Sequence, residues 1–371
     1  MADQTSNRED AVTFALTCNR LAGVECAGRQ GVKDRWLPVR LVPKRWTGLL
    51  LVLGIWPVPA VVAQTCQTAA DLDPATRTAI ETTAKHYFDM AARGESAALR
   101  QNTIPALAGS FGGIESAVKD NQTAFSGAAV TIRPPYVLTA DGDGPISHAE
   151  FLCGVFGKTG QTSNSSVFVL HNLPPGKYAT VILDVKSSPP RNLTLMLQQV
   201  GTDWKLAGFF AKPTQIAGHD AAWFAQQARA FKAKGETRNA WLYFHQAISL
   251  TSPVDFMSTL ATDKLYDEAQ AVQSADLPAN GQTADLAAGG KTYQLTTIFA
   301  LAVGDDLDLV VKYQAADVSN TGQTFQENIA VIKALVAKFP EFRDAFSGVV
   351  ARAVEPSGRD YGSMLPMKEI K

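Results

Sequence analysis

The chain predicts an α+β fold assembled from more than one part, and three observations carry that reading. From about residue 74 to 121 apolar residues recur at helical spacing, and beyond Gly127 the period changes to two as far as about residue 212. Residues 219–253 return to helical spacing as a single pair of helices. The remainder closes with strand-like and helical stretches in the order ββαββ. Helices first and antiparallel strands after them give α+β architecture, a curved sheet with helices packed on one face.

The first domain is predicted over 71–213. Asp73-Pro74 supplies a cap and a first-turn residue. Ile80, Ala84, Tyr87, Phe88 and Ala91 then share one apolar face. Gly94 and Pro105 bracket a second helix over 95–102, and a short helix fits 114–121. The strand AAVTIRPPYVLTA is broken by Pro134-Pro135, which suits an edge or a bulge. AEFLCGVFG and SSVFVLH follow, then KYATVILDV, and finally LTLMLQQV and WKLAGFF around the turn Gly201-Thr202-Asp203.

In this order of helix, helix and long antiparallel hairpins, residues 71–212 resemble the NTF2-like superfamily. The most specific piece is the last hairpin, LTLMLQQVGTDWKLAGFF, where a Trp opens the final strand and aromatics end it. The resemblance implies an apolar cone between sheet and long helix. In enzymes of that superfamily a carboxylate or His inside the cone serves as general base. The candidate here is Asp184, which shares a strand face with Tyr178, Thr180 and Ile182. The opposite face, Ala179, Val181, Leu183 and Val185, is more apolar, so Asp184 is expected toward solvent. Tyr87 and Tyr136 are expected to line the same cone.

Residues 219–253 resemble one tetratricopeptide helical hairpin. With Gly235 as the turn, Ala228, Phe231, Ala240, Phe244 and Ala247 fall where that repeat wants small and aromatic residues; Gln227 departs. A solenoid needs three or more repeats, so one pair reads as a connector. Its aromatics, among them Trp223, Phe224, Trp241 and Phe244, cannot all be buried within two helices. The hairpin is therefore expected to fuse the two halves, and a chain ending at Pro253 to fold better than one ending at Pro213. The last domain, 254–371, is predicted to open on a helix over 254–273. A loop over 274–290, a hairpin around Gly304-Asp305-Asp306, a helix over 324–339 and two strands follow.

The stretch GLLLVLGIWPVPAVVA, preceded by Arg40, Lys44 and Arg45, has the form of an export signal. It is shorter than the about 20 residues of a membrane span, and Pro57 and Pro59 interrupt it. Val61-Val62-Ala63 places cleavage after Ala63, with the signal over 44–63. An uncleaved anchor is the rival, and the only expected membrane contact. Residues 1–43 read as a leader or as a start assigned too far upstream. Residues 1–63 hold eight Lys/Arg and five Asp/Glu of the chain's 34 and 35, which leaves 26 and 30, net about −4. That balance argues against nucleic acid as partner. Only Cys66 and Cys153 remain, expected as a disulfide in an exported, periplasmic or extracellular protein, against the alternative of two free thiols.

The five histidines, His86, His148, His171, His219 and His245, have no metal-ligand spacing, and no nucleophile, phosphate-loop or dinucleotide motif occurs. Neither metal nor cofactor is expected. Two function classes follow. The favoured one is an exported non-catalytic binding or scaffold protein that acts through a protein partner or a small apolar ligand. The rival is a small-molecule lyase or isomerase working in the cone.

Overall fold

The computed structural model describes residues 64–371. The signal segment, the cleavage after Ala63 and the leader lie outside them. The described chain is α+β, with several antiparallel sheets.

Strand β1 (Gln64–Gln67) precedes helix α1 (Pro74–Ala92). The Asp73 side chain accepts from the Thr76 amide at 2.8 Å, and Pro74 fills the first turn, as the sequence signals. The helix ends on Gly94 at φ 73°, where the Glu95 amide donates back to the Met90 carbonyl at 2.9 Å. A left-handed residue at that point is what closes the last carbonyls, and glycine adopts it without a Cβ clash. Helices α2 (Ser96–Gln101), α3 (Pro105–Ala108) and α4 (Gly112–Phe125) follow, the last longer than its predicted 114–121.

The strands form two sheets instead of one. Strands β2 (Ala129–Ile132), β3 (Tyr136–Ala140), β6 (Gly176–Lys186), β7 (Arg191–Val200) and β8 (Asp203–Pro213) join β1 in the order β1-β3-β6-β7-β8, with β2 also on β6. Pro134 and Pro135 separate β2 from β3, and both strands lie along β6. Strands β4 (Ile146–Gly154) and β5 (Ser165–Leu173) leave this sheet and make a second one. The physical reason lies in β6 itself. Ala179, Val181, Leu183 and Val185 pack under α1 and α4, whereas Tyr178 and Ile182 on the reverse face are equally buried. A sheet apolar on both faces needs a cover on both. Phe151, Cys153, Phe168 and Leu170 of the β4–β5 hairpin provide the second. Helices, main sheet and small sheet therefore make three layers. Tyr178, Thr180 and Ile182, on the face that Asp184 shares, are therefore buried.

Cys66 on β1 and Cys153 on β4 are bonded, with α-carbons 5.1 Å apart at a sequence separation of 87. The disulfide clamps the main sheet to its cover. In the chain-entropy view, a loop of that length stabilises by about 4–5 kcal/mol.

Short strands β9 (Gln215–Ile216) and β10 (His219–Asp220) lead to helices α5 (Ala221–Ala233) and α6 (Thr237–Thr251). Gly235 turns between them at φ 83°, with Glu236 N–H on the Phe231 carbonyl and Gly235 N–H on the Lys232 carbonyl, both at 3.0 Å. The hairpin packs forward. Phe224, Phe231, Trp241, Tyr243 and Phe244 share one continuous core with the last sheet, and none joins the core of the first half. Polar links follow the same direction. Arg238 pairs with Asp276 and with Glu341 at 2.8 Å, and Tyr243 donates to the Ala345 carbonyl at 2.7 Å.

The halves are joined by a segment expected to be helical. The helix predicted over 254–273 begins only at Leu260, as α7 (Leu260–Gln270). Thr259 and Thr262 form its capping box, which fixes the start. Upstream, Val254, Phe256 and Met257 are buried in the first half. Met257–Thr259 is strand β11, which pairs with β5 as the third strand of the small sheet. Phe256 sits edge-on to Phe210 at 5.4 Å, Val169 N–H donates to the Phe256 carbonyl at 2.9 Å, and Lys212 pairs with Asp255 at 2.8 Å.

The final sheet runs β12 (Ala284–Ala288), β13 (Lys291–Val303), β14 (Asp306–Gln314), β15 (Gly348–Val354), β16 (Asp360–Pro366), paired in that order. Strand β12 lies inside the predicted loop 274–290. Its buried Ala284, Leu286 and Ala288 alternate, but two of the three are too small to signal a strand. Helix α8 (Thr321–Lys338) crosses between the parallel strands β14 and β15, as a parallel pair requires.

Candidate functional site

Asp184 lies at the end of β6 beyond the reach of the small sheet. It is half-exposed and receives a two-pronged pair from Arg133, at 2.9 and 2.6 Å. The arginine arrives there because Arg133 N–H bonds the Ile182 carbonyl at 2.8 Å as β2 gives way to the two prolines. From the sequence Asp184 is expected toward solvent; in the structure its side chain is about two-fifths exposed, at 39%. A carboxylate so paired is not a buried base.

Tyr87 and Tyr136 lie on opposite faces of the main sheet. Tyr87 packs with α1's core and donates to the Trp204 carbonyl at 2.9 Å; burial, with Asp203 nearby, pushes its phenol up to about 12. Tyr136 faces the small sheet, within 3.2 Å of the Ser166 hydroxyl and edge-on to Phe168 at 5.1 Å. The sheet stands between them, so the three residues assigned to one cone line no common space.

The histidines serve separate places. His148 and His171 are cross-strand partners on β4 and β5, with rings 5.1 Å apart. His219 stacks flat on Trp223 at 3.6 Å at the start of α5. His245 is buried against Trp241 at 4.3 Å, and burial pushes its imidazole down to about 4. Among the described residues, no group of three or more His, Cys, Asp or Glu could hold a metal ion. No helix among them is long and apolar enough to cross a membrane.

A feature that sequence reading missed is a cleft of about 480 Å³ where the C-terminal end of α4 meets the β6–β7 connection. Asp120, Thr123 and Ser126 line one side, and Lys186, Ser188 and Arg191 the other. Arg191 opens β7. Strand alternation puts it on the same face as Leu193, Leu195 and Leu197, all in the core under the helices. A cation in phase with three core leucines was the signal in the sequence. Its Nε is buried and makes no hydrogen bond within the described residues. Burial alone lowers its pKa; no carboxylate offsets that effect.

No family model, curated protein or solved structure matches this chain.

Proposed function

We propose that this is an exported binding or scaffold protein that works through protein or small-ligand contacts, not through catalysis in a cone. The observation that carries the reading is β11. By lending residues 257–259 to the small sheet of the first half, the second half becomes part of the first half's fold. A joint made of a strand pair, an aromatic contact and an ion pair holds two bodies at a fixed angle, which suits a platform for partners. The disulfide is consistent with an oxidising, exported location. The NTF2-like and tetratricopeptide resemblances describe element order within this reading. The acid/base alternative assigns a proton transfer to Asp184, whose carboxylate is held by Arg133.

The test is made on protein recovered from the exported fraction. Mass spectrometry is expected to find a first residue of Gln64, and thiol titration to find no free cysteine. Limited proteolysis is expected to spare 252–259. An intact chain from residue 1 in the cytoplasm would remove the export reading, and rapid cutting within 252–259 would remove the rigid joint.

A further inference from the structure

We propose that the cleft between the end of α4 and the β6–β7 connection binds a small oxyanion, with Arg191 as its principal ligand and Lys186 as a second charge. This inference stands on the cleft alone, independent of export and of the rigid joint. A guanidinium has five donors in a planar fork suited to carboxylate or phosphate oxygens. Seven other arginines of the described chain show the rule: Arg77, Arg93, Arg133, Arg229, Arg238, Arg352 and Arg359 each meet a carboxylate. Arg191 meets none, although it is the one whose Nε is fully withdrawn from solvent and without an acceptor.

The Arg191 side chain is half-buried, with its Nε out of water and unpartnered; a buried donor without a partner is costly, so it is a standing donor for an incoming anion. The surroundings fit. Lys186 adds a cation, and the Ser126 and Ser188 side chains lie on the wall. The cleft volume is within the range of small-molecule sites, and its lining is largely polar, which suits an ionic ligand over an apolar one. Two features oppose the anion. Asp120 also lines the cleft, and the helix end directs its negative pole there. Asp120 makes no ion pair with Arg191, and neither feature supplies the missing acceptor.

The experiment uses the full chain at low ionic strength and follows the Arg191 Nε–H resonance by ¹⁵N NMR. The signal is assigned by its loss in Arg191→Gln. Inorganic phosphate, acetate and chloride are titrated at matched ionic strength. A saturable shift with phosphate or acetate, absent with chloride, is expected, and which of the two acts tells phosphate from carboxylate recognition. Calorimetry is expected to show affinity for that anion falling at least about tenfold in Lys186→Gln, as a charge-assisted contact implies. Lys186 is exposed, so this second variant keeps the test open if Arg191→Gln folds poorly. Equal response to all three anions, no response, or unchanged affinity in Lys186→Gln overturns the proposal.

Discussion

The two halves bury their sheets differently. In the first, the central strands β6 and β7 are buried on both faces, one covered by helices and one by the small sheet. In the second, Leu309, Val311 and Tyr313 of β14 and Val349, Ala351 and Ala353 of β15 face the core with α8 and the hairpin. The opposite face is mixed: a row of Phe299, Val310, Val350 and Met364 runs across it, and beside that row lie Lys312 and, ion-paired at 2.8 Å, Arg352 and Asp360. A covered sheet needs a device to hold its cover, and the first half uses the disulfide and β11. The second half instead fixes its single core with polar links: Tyr313 donates to Asn328 at 2.8 Å, and Asn328 donates to Ser363 at 3.0 Å and to the Tyr361 carbonyl at 3.1 Å. Every member of that buried network has a partner, so it specifies register without leaving an orphan.

The contrast can be broken most sharply at the disulfide. Cys66→Ser with Cys153→Ser is expected to destabilise the first half by up to about 4–5 kcal/mol in urea unfolding. The second half's core should be little affected, as hydrogen exchange of β13–β15 amides would show. Equal loss in both halves would mean that they unfold as one unit.

Phe256→Ala attacks the borrowed segment. Phe256 is buried against Phe210, and truncation is expected to cost about 3 kcal/mol, since a large buried aromatic is lost. Amide exchange should rise first in β5 and β11. The same geometry overturns the expectation for truncated chains. A chain ending at Pro253 keeps the hairpin but removes the core on which it packs, together with β11. It is expected to aggregate more than one ending at Pro213, which light scattering can compare.

The third difference is in pH. His245 is held at about 4 by burial, below its ordinary 6.5. An unfolded chain takes up this proton near pH 6.5, whereas the folded one resists until about 4. Stability of the second half is therefore intact above about 6.5 and falls by about 3 kcal/mol as pH drops to 4. His245→Leu should flatten that slope in urea midpoints taken across this window. An unchanged slope would assign the acid loss elsewhere.

The smallest effect is expected at the surface pair. Asp184→Asn should cost less than about 1 kcal/mol, because both partners are exposed and screened. A larger loss in a melting curve would give Asp184 a role that its exposure does not explain.

Much of the local structure was legible. The Asp73-Pro74 start, the turn glycines Gly94 and Gly235, and the switch of period at Gly127 are signals a few residues long, and the chain obeys them. The pairing of Cys66 with Cys153 was one of two states the sequence offered, because no other cysteine lies beyond the expected signal segment. The candidate site was less legible. Tyr87 and Tyr136 both read as interior, but nothing local tells which face of a sheet an interior residue takes. Arg191 carried a local signal, a cation in phase with leucines, whose meaning depends on what lies opposite.

What the sequence by itself determined is therefore the set of periods, caps and turns, since these follow from contacts between residues three or four apart, or from φ at a single position. Only the tertiary structure decided that β4 and β5 leave the main sheet, that the hairpin packs forward, and that Val254, Phe256 and Met257 return to the first half. Those choices rest on which apolar faces meet across long stretches of chain. Several faces of similar hydrophobicity compete there, and the burial of all of them together selects the arrangement.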